Sequence, residues 1–162
     1  MRITRLLFAA VAASAAAVVA PTTAAQTHQH GMGAAAPPSQ DTRQLVQFPE
    51  PMRLHTIASM RDHLLALQEI SEALSRSGYE KAAAIAERRL GMSSLEQHGA
   101  SHIAQFMPAG MQQIGTQMHR AASGFAVEAQ NASAANDARP ALAALGAVMA
   151  QCVACHAAYR LH

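Results

Sequence analysis

The sequence has few of the residues that hold small β-rich or disulfide-bonded domains together. Its 162 residues include two cysteines, no tryptophan and only 4% aromatic residues. Two cysteines exclude a framework of several disulfides, and the shortage of aromatic residues disfavours a β-sandwich or barrel. Charged residues make up 14% of the chain and apolar residues 51%, much of it alanine. This composition favours packed helices over disorder, in one domain long enough to bury a core.

The first 25 residues have the layout of a secretory signal peptide. Arg2 and Arg5 form a positive n-region, an apolar run follows from Leu6 to Ala20, and small residues suited to cleavage end at Ala25. The apolar run is too short to span a bilayer comfortably, so an uncleaved anchor is the less favoured alternative. We therefore expect export to the periplasm and a mature chain without a membrane span.

The mature chain carries no excess of charge. Loss of Arg2 and Arg5 leaves ten basic residues against ten acidic residues. A neutral chain of this kind has no electrostatic footprint for nucleic acid, and no nucleic-acid partner is expected.

Residues 26–44 are predicted to be a flexible leader, because Ala, Pro, Gly, Gln and Ser dominate them and large apolar residues are nearly absent. His28, His30 and Met32 lie in this leader and are interpreted as an accidental polar tract rather than a metal site. Leu45, Val46 and Phe48 follow, and we expect them to pack onto a domain that spans residues 45–162.

Four helices are predicted in this domain. The first runs from Glu50-Pro51 to Gly78, the second starts near Tyr79, the third follows Pro108, and the fourth follows Asn136-Asp137. Short links between the helices favour antiparallel neighbours, hence an all-α, up-down-up-down antiparallel four-helix bundle. The stretch from Gly91 to Gly110 is expected to be irregular or to form short helices.

Apolar residues recur at intervals of three and four, the period of helices that bury one face. Met side chains on these stripes are expected to fill the core. The stripes comprise Ile57, Met60, Leu64, Leu67 and Leu74 in the first helix, Met111, Ile114, Met118, Ala121 and Phe125 in the third, and Leu142, Leu145, Met149, Cys152, His156 and Tyr159 in the fourth.

Residues 152–156 read Cys-Val-Ala-Cys-His, a CxxCH motif that is the attachment signature of c-type haem. On a helix, Cys152 and Cys155 lie about one turn apart on one side, where each thiol can add to a porphyrin vinyl group. His156 follows directly, and histidine is an ordinary ligand of haem iron. A thioredoxin-like pair would need a βαβ context, a zinc site more ligands, and a disulfide within a helix has poor geometry. We therefore expect covalent haem c, with His156 as the metal ligand.

Tyr159 and Arg160 extend the motif to CxxCHxxYR at the end of the last predicted helix. This pattern resembles the cytochrome c′ family, which includes the low-spin c-556 type, and the resemblance extends over about Pro49 to His162. It implies a four-helix bundle with one covalent haem that transfers electrons or binds NO or CO. It also implies a periplasmic redox protein or a small gas as partner, and a homodimer is common in the family.

The resemblance further implies roles for individual residues. Arg53 matches an arginine near a haem propionate, and Arg160 matches the arginine beside the proximal histidine. Ile57 matches the residue that closes the distal face, and His63 matches a histidine further along the same helix. Since Ile57 cannot ligate iron, the resemblance implies five-coordinate, high-spin haem in an apolar pocket. Met60 shares the stripe and could ligate iron if the helix rotated.

An enzyme is not indicated, because the sequence shows no nucleophile–base pair, paired carboxylates or phosphate loop. The alternative function is a periplasmic copper- or zinc-handling protein that uses His and Met without haem. His98 and His102 are its candidate ligands, although Gly99 between them weakens a helix there.

The remaining polar residues are expected to lie outside any site. His55, His63 and His119 are interpreted as surface or helix-cap residues. Arg88 and Arg89 are expected on a solvated face.

Overall fold

The computed structural model describes residues 40–162; the predicted signal peptide and most of the predicted leader lie outside the described residues. The described chain is mostly helical, which confirms the all-α class. Its elements are β1 (Gln44–Val46), α1 (Glu50–Ser75), α2 (Tyr79–Arg89), a 3₁₀ turn (Met92–Ser94), α3 (Ala100–Ile103), a second 3₁₀ turn (Ala104–Phe106), α4 (Ala109–Ala135), α5 (Arg139–Ala158) and β2 (Tyr159–Leu161).

Prolines and left-handed residues set the helix ends. Pro51 and Pro140 lie in the first turns of α1 and α5, where a missing N–H leaves no hydrogen bond unmade. Pro108 precedes α4, and Asn136 ends that helix in the left-handed conformation, which asparagine adopts more readily than most residues. Gly99, with φ of 61°, lies directly before α3 and separates it from the first 3₁₀ turn.

The long helices pack as a chain of neighbours. α4 packs against α5 and α2, and α2 packs against α1, whereas α1 and α5 make few close contacts with each other. Alanines at the crossings let the helix backbones approach closely, and Ile70 and Phe125 fill the larger spaces. This packing leaves an opening between the first and last long helices.

Arg89 ties α2 to α1 and is not on a solvated face, contrary to expectation. Its guanidinium donates hydrogen bonds to both carboxylate oxygens of Asp62, and it lies 2.5 Å from a carboxylate oxygen of Glu69. The Arg89 hydrogen bonds lower the pKa of Asp62 below its usual value. Arg88 is exposed, as expected.

Two three-residue strands, absent from the sequence expectations, join the ends of the domain. β1 and β2 pair in parallel with Leu45 opposite Arg160. Val46 and Phe48 are buried against Met111 in a second, small core, which confirms the expectation for these two residues, whereas Leu45 is exposed. The compact unit begins at Gln40, and residues 40–44, assigned to the leader, belong to it.

The buried face of α5 is rotated from the predicted stripe. Ala141, Leu145 and Val148 are buried, whereas Leu142 is 53% exposed and Met149 44% exposed. Small alanines and large residues alternate around this helix, so the apolar period alone does not select the packed face. The prediction that Met149 fills the core is wrong.

By length and composition, α5 is apolar enough to cross a membrane, which the sequence analysis did not expect. Its 18-residue window has a mean hydropathy of 1.7, and 17% of that window is buried. Alanine contributes much of this hydropathy.

Candidate functional site

A cleft of about 460 Å³ occupies the opening between α1, α4, α5 and the chain around residues 95–107. This volume lies within the range of small-molecule and cofactor sites. Ile57 and Met60 line it from α1, and Cys152, Cys155 and His156 line it from α5. The fold therefore brings five of the predicted site residues, distant in sequence, to one cavity.

Most of the predicted stripe of α1 lines this cleft, whereas its last member, Leu74, is buried in the protein core as expected. Ile57, Met60, Leu64 and Leu67 all belong to the cleft wall, and Leu64 is 69% exposed. The adjoining face of α1, with Ala66, Ile70 and Ala73, packs into the core. A continuous apolar surface left open in a concave site is typical of a place where an apolar ligand binds.

The CxxCH motif lies on the last turns of α5, which the adjoining β2 strand anchors. Cys152 and Cys155 are free thiols and are partly buried. Burial raises the pKa of both thiols, and the neighbouring Cys152 raises that of Cys155 further. The imidazole of His156 is exposed at the cleft. The guanidinium of Arg43 donates a hydrogen bond of 3.2 Å to the His156 carbonyl oxygen and so holds the motif's backbone.

Methionines form much of the opposite wall. Met111 and Met118 are buried, as expected, and they also line the cleft from α4. Met60 is partly buried on α1 and faces the cleft rather than the core. Their flexible thioethers suit the irregular gaps around a large flat ligand.

Two polar atoms in the cleft wall have no hydrogen-bond partner in the described chain. They are Thr56 Oγ1 and His63 Nε2, and both are buried. An unpaired buried polar atom costs about 1–3 kcal/mol, so such atoms mark places where a ligand or ion can supply the partner.

The two arginines expected at the haem propionates do not line the cleft. The guanidinium of Arg53 donates hydrogen bonds of 2.8 and 2.7 Å to Glu50. Arg160 Nε lies 3.6 Å from a carboxylate oxygen of Asp41 and makes no hydrogen bond. Arg61, which the sequence analysis did not select, lies at the cleft instead. The only sequence signal for this position was that Arg61 directly follows Met60, a member of the stripe.

The predicted pairing of His98 with His102 does not occur. Gly99 ends the turn in a left-handed conformation, so the two residues do not share a helical face. His98 is buried, whereas His102 is exposed. His55 is exposed, as expected, and its Nε2 lies 3.1 Å from the His98 carbonyl oxygen.

His63, His98 and His119 instead form a cluster in the cleft wall, which corrects the placement of His63 and His119 at the surface or at helix caps. Their ring centroids are 4.8, 5.5 and 6.4 Å apart. Burial and the two neighbouring imidazoles lower the pKa of His63 to about 4, and burial also lowers that of His98. As the side chains stand, no group of three His, Cys, Asp or Glu in residues 40–162 forms a ready-made metal site.

No protein family, curated protein or solved structure matches this chain. The resemblance to cytochrome c′ therefore depends on the motif from Cys152 to Arg160 and on the first helix. The function that follows depends on the chemistry and geometry of the cleft.

Proposed function

We propose that this chain is a periplasmic c-type cytochrome of the cytochrome c′ type. One covalent haem c occupies the cleft, and the long helices form an up-down-up-down bundle around it. The observation that carries the proposal is the position of Cys152, Cys155 and His156 in an apolar cleft whose α1 wall no other segment of residues 40–162 covers. Without this apolar surface, only the spacing of the CxxCH motif would support haem attachment.

Attachment uses the two thiols without any oxidant. Each S–H of Cys152 and Cys155 adds across one vinyl double bond, so that sulfur bonds to one carbon and the hydrogen goes to the other. The motif spacing then leaves the imidazole of His156 next to the attached ring as the iron ligand. When bound, the haem supplies an iron centre that can exchange an electron or take a diatomic gas.

The side chains of α1 control access to that centre. With haem bound, Ile57 and Leu64 would restrict the access of water to the iron, and neither offers an atom that ligates iron, which supports five-coordinate iron open to NO or CO. Met60 is the nearest thioether along the stripe and is the residue that would close the sixth position. Arg61 at the cleft provides a cation for a propionate, in addition to the Arg53 and Arg160 roles that the resemblance implies.

We further propose that the protein is not an enzyme and works with a periplasmic redox protein or a small gas. A homodimer, as is common in the resembled family, is part of this proposal. These assignments follow from the proposed haem and from the predicted export signal.

Expression in a bacterium that exports the chain and matures c-type haem tests the proposal. The purified protein should carry the mass of one haem, and its colour should remain with the polypeptide after extraction with acidified acetone. The control is the Cys152→Ser/Cys155→Ser variant, which should be exported but release any haem on extraction. A colourless product of bare polypeptide mass, especially one that takes up copper or zinc, would refute the proposal.

A further inference from the structure

We propose that His63, His98 and His119 form a binding site for one divalent transition-metal ion of the Zn²⁺ or Cu²⁺ class. His63 comes from α1, His98 from the chain after the first 3₁₀ turn, and His119 from α4, so the ion would link three segments of the cleft wall. This site is separate from the CxxCH motif and does not depend on bound haem.

The three rings already have the spacing that a shared ion requires. Three imidazoles bound tetrahedrally at a metal–nitrogen distance of about 2.0–2.1 Å place their ring centroids about 5 Å apart. The observed centroid separations are 4.8, 5.5 and 6.4 Å. Since no ready-made site exists among residues 40–162, binding requires the rings to turn so that their nitrogens converge.

Hydrogen bonds hold two of the rings in the tautomer that ligates metal. His119 Nδ1 lies 2.7 Å from the carbonyl oxygen of Leu90, which only accepts, so Nδ1 carries the proton. Ser94 Oγ donates its proton to the Gly91 carbonyl oxygen at 2.7 Å. His98 Nδ1, 3.4 Å from that hydroxyl oxygen, is therefore the donor of their contact. Both rings keep Nε2 as a free lone pair, and such outer hydrogen bonds are characteristic of metal-ligating histidines.

In the third ring, that of His63, one nitrogen lacks a partner that a purely structural role would be expected to supply. His63 Nε2 is buried and has no hydrogen-bond partner, although histidines in a stable core normally satisfy both nitrogens. The low pKa of His63 keeps the ring neutral at neutral pH, which is the form that binds a metal. His98 and His119 are themselves about nine-tenths buried, so an ion held by them would be shielded from water.

Metal ligands of the CxxCH motif and of the leader are removed before the test. In a haem-free background, Cys152→Ser, Cys155→Ser and His156→Ala eliminate the motif, and in all samples His28→Ala and His30→Ala eliminate the leader histidines. The same leader changes are made in the haem-loaded protein, if haem attaches. Zinc binding by the haem-free background would support the site even where haem attachment fails, and haem attachment without zinc binding would refute the site alone.

The full-length mature chain is titrated with Zn²⁺, and X-ray absorption at the zinc edge reports the ligands. We expect one ion per chain with three imidazoles in its first shell. His63→Ala and His119→Ala should each weaken binding by about 100-fold or more, whereas His102→Ala, at the exposed neighbouring histidine, should leave it unchanged.

Two results about the ligands, and one about binding itself, would overturn the inference. One is a first shell with fewer than two imidazoles in the unsubstituted site, a measurement that remains decisive even if His119→Ala does not fold. The other is equal zinc affinity for folded His63→Ala and His102→Ala, with folding checked by circular dichroism. Failure to bind one equivalent of Zn²⁺ or Cu²⁺ at micromolar concentration would count equally against the site.

Discussion

Ile57 and Met60 lie three residues apart on α1, and both line the cleft. One side chain has no atom that can ligate iron, and the other has a thioether. The identity of the residue over the metal therefore determines whether the sixth coordination position of the proposed haem is open or filled.

At Ile57, substitution by Met should convert five-coordinate, high-spin iron into six-coordinate, low-spin iron, because it brings a thioether to the cleft wall. Absorption and electron paramagnetic resonance spectra of the purified protein measure the change. Ile57→Leu preserves the volume without a ligand and should keep the high-spin spectrum. Identical spectra for both variants would mean that Ile57 does not lie over the haem.

His63 makes the stability of the metal-free protein depend on pH. The pKa of His63 is about 4 in the folded chain, whereas an ordinary histidine, as in the unfolded chain, has a pKa of 6.5. Between these two pH values the unfolded chain therefore binds more protons than the folded chain. The contribution of neutral His63 to the free energy of unfolding is therefore fully present above pH 6.5 and is lost as the pH falls towards 4. The loss is at most about 3 kcal/mol, and less because the ring is not wholly buried.

Urea unfolding with a chelator at pH 7 and pH 4.5 tests this dependence. The His63→Gln variant cannot take up that proton and should lose less stability between the two pH values than the unsubstituted chain. Equal losses for the two proteins would assign the pH dependence to other groups.

At the scale of elements, Arg89 at the end of α2 forms ion pairs with α1 that the sequence does not reveal. Its guanidinium is shared between Asp62 and Glu69 of α1, and its side chain is only 21% exposed. Charge-assisted bonds of this kind, partly shielded from water, contribute more than an isolated surface ion pair.

The Arg89→Met substitution should lower the free energy of unfolding by about 1–2 kcal/mol, because two carboxylates lose their partner while the side-chain volume is retained. Arg88→Met, at the exposed neighbouring position, should change it by less than about 0.5 kcal/mol. Urea unfolding at neutral pH measures both. Similar values for the two variants would place Arg89 among ordinary surface residues.

Two glycines of α4 allow a matched test of local packing. A Cβ at Gly124 meets no atom within 4 Å, whereas a Cβ at Gly110 would lie 2.5 Å from the hydroxyl oxygen of Tyr159 in β2. Gly124→Ala should therefore stabilise the protein by about 0.5–1 kcal/mol, since alanine favours a helix interior. Gly110→Ala should gain less, because Tyr159 must move. Thermal unfolding of both variants checks the order, and a larger gain at Gly110 would contradict the placement of β2.

For the whole molecule, the cleft is an apolar surface that the described part of the chain, residues 40–162, leaves uncovered. Leu64 is 69% exposed there, although it belongs to an apolar stripe of helical period. A folded protein rarely leaves such a stripe in water without a ligand or partner.

The haem-free Cys152→Ser/Cys155→Ser protein should therefore unfold at a Tm at least about 5 °C below that of the haem-loaded protein, equivalent to roughly 1 kcal/mol or more for a domain of this size. It should also bind a dye specific for apolar surfaces. Within the haem-free form, Leu64→Gln should reduce dye binding without lowering Tm. Equal Tm values for the haem-loaded and haem-free proteins would indicate that nothing large binds in the cleft.

Local signals located the helices well. Pro51, Pro108 and Pro140 mark helix starts, and Asn136 ends α4 in the left-handed conformation, because these residues restrict or extend the backbone angles at their own positions. The first helix ends at Ser75, three residues before its predicted end at Gly78. The strands β1 and β2 were not predicted, because three residues are too few to show a period and the two strands lie at opposite ends of the domain's sequence.

Side-chain environments were less predictable where they depend on distant residues. Periodicity identified the apolar stripe of α1 but not whether a helix or a cleft faces it. Nothing in the sequence near His63 indicates that it meets His119, or that Arg89 meets Asp62, because these contacts arise only when α1, α2 and α4 pack.

The sequence by itself determined the helical class, the helix boundaries and the spacing of Cys152, Cys155 and His156, since all of these depend on residues within a few turns of one another. Only the tertiary structure decided that this motif shares a cleft with Ile57 and that three histidines converge in its wall. The reason is physical: backbone preferences act over a few residues, whereas the facing of helices is settled by packing along the whole chain.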